Sequence, residues 1–265
     1  MKTPLRWSKT FLLHYWKLVF RSLLFLAAGI TYVYNRIHHT GELFGGFERN
    51  SLLLSVIWII FAVEMVLRFF PSGIESMGCQ KQFAKNYSPT GREEVRLQSW
   101  KRTAAVFLAW VALNGIFGAL YLAGIFDAGI MLLIALAYSV CDMICILFFC
   151  PFQTWFMKNR CCATCRIYNW DFAMMFTPLI FVRNGYAQTL VLISLALLIK
   201  WEVLLRLHPE RFSENTNACL ACAQCKEKLC HHKKQLQHFI KHNAAKLQTE
   251  GTLCSKESTR LPDFV

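Results

Sequence analysis

Four cysteines, Cys219, Cys222, Cys225 and Cys230, stand in the stretch NACLACAQCKEKLCHHKK with the spacing C-x2-C-x2-C-x4-C. Thiolates are strong ligands for zinc and for iron–sulfur clusters, and a C-x-x-C turn lets two sulfurs face one ion. A second group lies upstream in CPFQTWFMKNRCCATCRIYNWD, where Cys162 and Cys165 form another C-x-x-C, Cys161 is adjacent and Cys150 precedes Pro151. All eight are candidate metal ligands, enough for two four-thiolate sites. Cys219, Cys222, Cys225, Cys230, Cys162 and Cys165 are the candidate holders of an iron–sulfur cofactor. A mixed zinc site from Cys162, Cys165, Cys219 and Cys222 satisfies tetrahedral geometry equally well. Dithiol redox chemistry and palmitoylation remain open. Cys79, Cys141, Cys145 and Cys254 read as small hydrophobes used for packing.

Both groups can serve one site only if they lie on the same side of whatever the chain is embedded in. Its 265 residues are 55% hydrophobic, above the ~45–50% usual for soluble domains, and its mean hydropathy is +0.34. About 20 apolar residues span a bilayer as a helix. Such runs occur at Leu18–Tyr34, Ser51–Phe70, Ala104–Phe126, Ala128–Cys150 and Ala187–Leu205, with a weaker one at Ile167–Val182 that contains Pro178. The third and fourth meet in a tight hairpin at Asp127. No cleavable signal peptide is evident.

Charge sets the topology, because Lys and Arg accumulate in cytosolic loops. Lys2, Arg6, Lys9 and Lys17 precede the first run. Lys81, Lys85, Arg92, Arg96, Lys101 and Arg102 outnumber Glu75, Glu93 and Glu94 between the second and third. Lys158, Arg160 and Arg166 follow the fourth, and the tail from Arg206 is again basic, whereas the opposite loops are poor in charge. Six spans with both ends in the cytosol fit every loop; five would export a basic tail. This distribution also explains the net charge of +13 without a nucleic-acid partner. With six spans, both cysteine groups share the cytosolic face.

The tail matches the bacterial ferredoxin run C-x2-C-x2-C-x3-C-P for three cysteines, and departs at Cys230, which is one residue late and followed by His231. Together with Cys150-Pro151 at a helix end, this resembles the membrane-bound ferredoxin-type quinol dehydrogenases over about thirty residues. That family's loop motif is C-x3-C-P, whereas here Cys145 and Cys150 are separated by four residues. The resemblance implies electron transfer between membrane quinol and cytosolic clusters.

Ionisable residues inside apolar runs are costly and mark functional suspects. Asp142 follows Cys141 and is the candidate proton-handling group. Glu64 and Arg68, four apart, are spaced to pair on one helix face. Lys200 and Glu202 read as snorkelling toward the membrane edge, Asp171 as helix capping and Asn114 as mid-span. His238 and His242, one turn apart on an amphipathic tail helix, read as its solvated face. No histidine falls mid-span, which disfavours histidine-held haem. Neither a phosphate-binding loop nor a metalloprotease motif is present.

The expectation is an all-α, six-span protein of the cell inner (cytoplasmic) membrane. Residues 1–205 form the bundle, and 206–265 form a cytosolic tail. Its expected function is a metal-binding, iron–sulfur redox role passing electrons between cytosol and membrane. The partners expected are the lipid bilayer, a membrane quinone, and a cytosolic redox protein or larger membrane complex. A zinc-stapled structural or metal-sensing protein, or a component of a soft-metal transporter, is the alternative.

Overall fold

The computed structural model describes residues 9–38, 51–71, 77–159 and 161–221. Cys222, Cys225, Cys230 and the expected tail helix lie outside the described residues. Within them the chain is mostly helical, with no strand and one isolated antiparallel bridge, Pro89 to Asn217.

Seven α-helices are described: α1 (Lys9–Ile37), α2 (Ser51–Leu67), α3 (Met77–Gln82), α4 (Trp100–Leu122), α5 (Ala128–Leu147), α6 (Asp171–Phe176) and α7 (Gly185–Leu207). The ends of the long helices follow from local chemistry. Asp127 caps α5 by accepting the Ile130 N–H at 2.8 Å, and Gly124, at φ +74°, supplies the left-handed turn that reverses the chain between α4 and α5. Asn184 caps α7 by accepting the Tyr186 N–H at 2.9 Å.

Three segments, Leu12–Ile37, Trp100–Leu122 and Ala128–Leu147, are long and apolar enough to cross a membrane. This is three rather than the expected six among the described residues. The apolar part of α2, Leu52–Leu67, is shorter. The outward faces bear the side chains a lipid-facing surface would carry: Leu23, Leu26 and Ile30 on α1, Leu108 and Ile116 on α4, Leu192 and Ile199 on α7 are all exposed. So large an apolar surface is foreign to a water-soluble monomer, and the fold is compatible with an all-α membrane protein.

The fifth expected span is not one α-helix. A 3-10 turn at Arg166–Trp170 leads into the six-residue α6, and a second 3-10 turn, Thr177–Phe181, follows with Pro178 near its start. Proline has no N–H to give an α-helical ladder, so α6 stops there. The segment packs against α4, α5 and α7, and Phe172, Met175, Phe176 and Leu179 are buried. Irregular backbone at this depth is tolerated where protein surrounds it. Its aromatic residues continue the core: Phe61 of α2 meets Phe176 edge to face at 5.3 Å. On α4, Gly118 leaves room for the Phe181 ring, which a β-carbon there would strike.

Candidate thiol site at one end of the bundle

The site is built from the end of α5 and the loop beyond it. After α5 the backbone makes one π-turn, Phe152–Phe156, closed by the Met157 N–H on the Phe152 carbonyl at 2.8 Å. This turn carries Gln153, a buried amide that organises the cysteines. Its backbone N–H points at Cys150 Sγ (3.4 Å), its Oε1 accepts from the Cys162 thiol (3.0 Å), and its Nε2 donates to the Asn159 carbonyl (3.2 Å). Asn159 in turn donates to the Cys161 carbonyl (2.9 Å) and to Thr164 Oγ1 (3.1 Å). The C-x-x-C itself is a 3-10 turn, Cys162–Thr164, closed by the Cys165 N–H on the Cys162 carbonyl at 3.0 Å.

A chain of hydrogen bonds presses that turn onto α3. Gln82 Nε2 donates to the Ala163 carbonyl (3.1 Å), Asn169 Nδ2 donates to Gln82 Oε1 (2.7 Å), and the buried Cys79 thiol donates to Asn169 Oδ1 (3.0 Å). Cys79 is thus a structural thiol.

Cys150, Cys162 and Cys165 line one cavity of about 120 Å³ together with Cys141, Cys145, Asp142, Asp171, Met174 and Met175. The cavity places Cys141 and Cys145, read from sequence as packing, beside the loop thiols. Cys161 lies outside this lining. Cys165 is buried, and burial pushes its thiol up to about 12, with Cys150 and Cys162 near enough to add to the effect. As arranged, it is a neutral thiol.

Cys219 is held elsewhere. Its thiol donates to the Asn86 carbonyl at 3.1 Å and its N–H to Asn217 Oδ1 at 3.1 Å. Asn217, fully buried, donates to the carbonyls of Lys81 and Arg211, both at 2.9 Å. Two backbone bonds, Ala218 N–H to Ser88 O (2.8 Å) and Thr90 N–H to Thr216 O (3.1 Å), sew this part of the tail to the 88–90 segment. Among the described residues no three Cys, His, Asp or Glu side chains stand in an arrangement that could hold a metal ion.

Buried charges flank the cavity. Arg21 of α1 donates to Glu64 Oε2 at 2.6 Å, to Asp142 Oδ2 at 3.2 Å and to the Ser139 carbonyl at 3.1 Å. Lys17 Nζ lies 3.1 Å from Glu64 Oε1. Arg68 grips Asp171 in a two-pronged pair, both contacts 2.6 Å, and lies 4.5 Å from the centre of the Phe172 ring. Three bases thus face three acids, the balance a low-dielectric interior demands.

This arrangement corrects several expectations. Glu64 and Arg68 do not pair with each other: Glu64 reaches α1 and Arg68 reaches Asp171, because facing helices offer closer partners than the next turn. Asp171 accepts the Phe172 N–H at 2.9 Å but chiefly serves Arg68. Lys200 and Glu202, both half-buried, also have partners within the chain. Lys200 donates to the Phe69 carbonyl at 2.6 Å, and Glu202 accepts from Arg166 and from Trp170 Nε1, each at 2.8 Å. Asn114 back-bonds to the Trp110 carbonyl at 2.9 Å. The sequence reading passed over Arg21, a guanidinium inside the first apolar run; its position at such depth was the available signal.

No family model, curated protein or solved structure matches this chain.

Two predictions follow from the geometry. Arg68→Leu strands the Asp171 carboxylate and should cost about 3–5 kcal/mol, whereas Arg68→Leu with Asp171→Leu should cost clearly less. Thermal midpoints in detergent read the difference, and equal losses would contradict the pairing. Cys165 contributes stability while the unfolded chain still holds its proton, below the ordinary thiol value of 9.0, and loses it progressively as pH rises toward about 12. The wild-type midpoint should therefore fall more steeply above about pH 9 than that of Cys165→Ala; parallel curves would refute it.

Proposed function

We propose that this chain is an integral membrane redox protein that passes electrons between the cytosol and the membrane through a thiolate-held centre, an iron–sulfur cluster. The observation that carries the reading is the cavity that gathers Cys141, Cys145, Cys150, Cys162 and Cys165 beside Asp142 at the end of α5. The reading assigns the further ligands to the tail cysteines Cys219, Cys222, Cys225 and Cys230. Cys219 lies against the 84–90 segment, and the C-x-x-C turn is hydrogen-bonded to α3, immediately before that segment. Cys219, the described member of the tail group, is thus fastened just beyond the element to which the C-x-x-C turn is bonded. When bound, such a cluster supplies one-electron transfer.

Asp142 is the proton-handling group in this reading. It lines the thiol cavity, and its contact with Arg21 (3.2 Å) is longer than the Arg21–Glu64 contact (2.6 Å). A membrane quinone is the partner on the lipid side, and six spans with both ends in the cytosol is the topology that puts both cysteine groups within reach. The second reading is a zinc clasp joining the tail to the 151–171 loop. It is favoured by the fact that the described part of the tail is already anchored by Asn217 and the Ala218 and Thr90 backbone bonds.

Vesicles reconstituted with the chain and charged with a short-chain quinol should reduce an external water-soluble acceptor. Cys162→Ser and Cys222→Ser should abolish this, and Asp142→Asn should slow it by at least about tenfold, as the loss of a proton-transfer group would. Rates equal to those of protein-free vesicles would exclude the electron-transfer reading.

A further inference from the structure

Where α4 begins and α5 ends, exposed bases and aromatic rings stand together without an acid among them. The Asp127 hairpin joins these helices, so the start of α4 and the π-turn after α5 lie at one end of the bundle. Arg102 Nη1 ties the two by donating to the Met157 carbonyl at 3.2 Å. Lys101, Arg102 and Lys158 are exposed, and so are the rings of Trp100 and Trp155, by 63% and 66%. Neither residues 95–126 nor residues 143–170 include an Asp or Glu. Glu94, just upstream, is taken by Arg96 at 3.0 Å.

One of these bases sits where the backbone disfavours it. Lys158 has φ +48° and is the only non-glycine residue in the left-handed region among the described residues. Glycine enters that region without a steric cost. A longer side chain held there points to a use for that side chain, and here it is an ammonium placed directly after Met157.

Along α4 the surface then turns apolar. Lys101, Leu108 and Val111 share one helix face, and Leu108 and Val111 are exposed. Leu108 lies about 10 Å along the axis from Lys101, and the headgroup layer of a bilayer is roughly 5–8 Å deep. Bases reaching the phosphates therefore leave Leu108 and Val111 among the acyl chains, with tryptophan at the boundary as its amphipathic ring favours.

We infer that this face binds an anionic phospholipid, its phosphate received by Lys101, Arg102 and Lys158 and its acyl chains lying along Leu108 and Val111. A zwitterionic headgroup brings its own cation and matches three bases poorly. The inference rests on the membrane reading of the chain and not on the redox one.

The full chain in non-ionic detergent would be titrated with phosphatidylglycerol and with phosphatidylcholine of the same acyl chains, and bound lipid counted by native mass spectrometry. Phosphatidylglycerol should bind at least about tenfold more tightly. Lys158→Gly should weaken that binding by about fivefold, the worth of one basic residue at an anionic surface, while Lys158→Arg should keep it. Glycine suits φ +48°, so the lipid-free thermal midpoint of Lys158→Gly should be no lower than that of wild type. A lower one would make Lys158 a structural residue and overturn its assignment. Equal affinity for the two lipids, wild-type affinity in Lys158→Gly, or a midpoint rise from inorganic phosphate as large as that from phosphatidylglycerol would overturn the site. A chain that stays soluble without detergent and binds neither lipid would overturn the membrane reading, and the site with it.

Discussion

The buried guanidinium of Arg21 is the constraint around which the bundle is arranged. A charge that deep must meet acceptors from whatever packs against it, and it meets Glu64 from α2 and both Asp142 and the Ser139 carbonyl from α5. One side chain thereby fixes the rotation of three helices about their axes. Arg68 does the same for α2 and the broken segment through Asp171. Apolar packing alone would hold these helices together with little preference for register, since a lipid-like environment rewards no particular apolar face. The ion pairs supply that preference.

With α5 held in this way, the positions of the thiols follow. Cys141, Asp142 and Cys145 share the part of α5 that Arg21 orients, and the π-turn just beyond turns Gln153 back onto Cys150 and Cys162. The broken segment closes the other wall with Asp171, Met174 and Met175. The cavity is therefore a meeting of charge and sulfur at one end of the bundle. The amide network through Gln82 and Asn169 then carries the arrangement on to α3, near the place where Cys219 is fastened.

Much of the local structure was legible in the amino-acid sequence. Apolar runs and the Asp127 hairpin are local signals, and Cys150 grouped with the C-x-x-C in the sequence lines the same cavity in the structure. Pro178 marked the weak fifth run, and the structure breaks α6 at that point. What escaped were features made between segments. Glu64 and Arg68 obey the i, i+4 rule on paper, yet each found a partner on another element. The partners of Lys200 and Glu202, the Phe69 carbonyl and Arg166, likewise come from other segments. The tail cysteines beyond Ala221 lie outside the described residues, so their spacing is the whole of what bears on them.

The redox account is tested most directly by composition. The full chain would be purified anaerobically in detergent, assayed for iron, zinc and acid-labile sulfide, and its absorption spectrum recorded before and after dithionite. Iron with matching sulfide and a broad visible band that bleaches on reduction is the predicted result. A colourless protein with stoichiometric zinc, or with no metal at all, would contradict it and leave the cysteines as a structural clasp or a set of buried thiols.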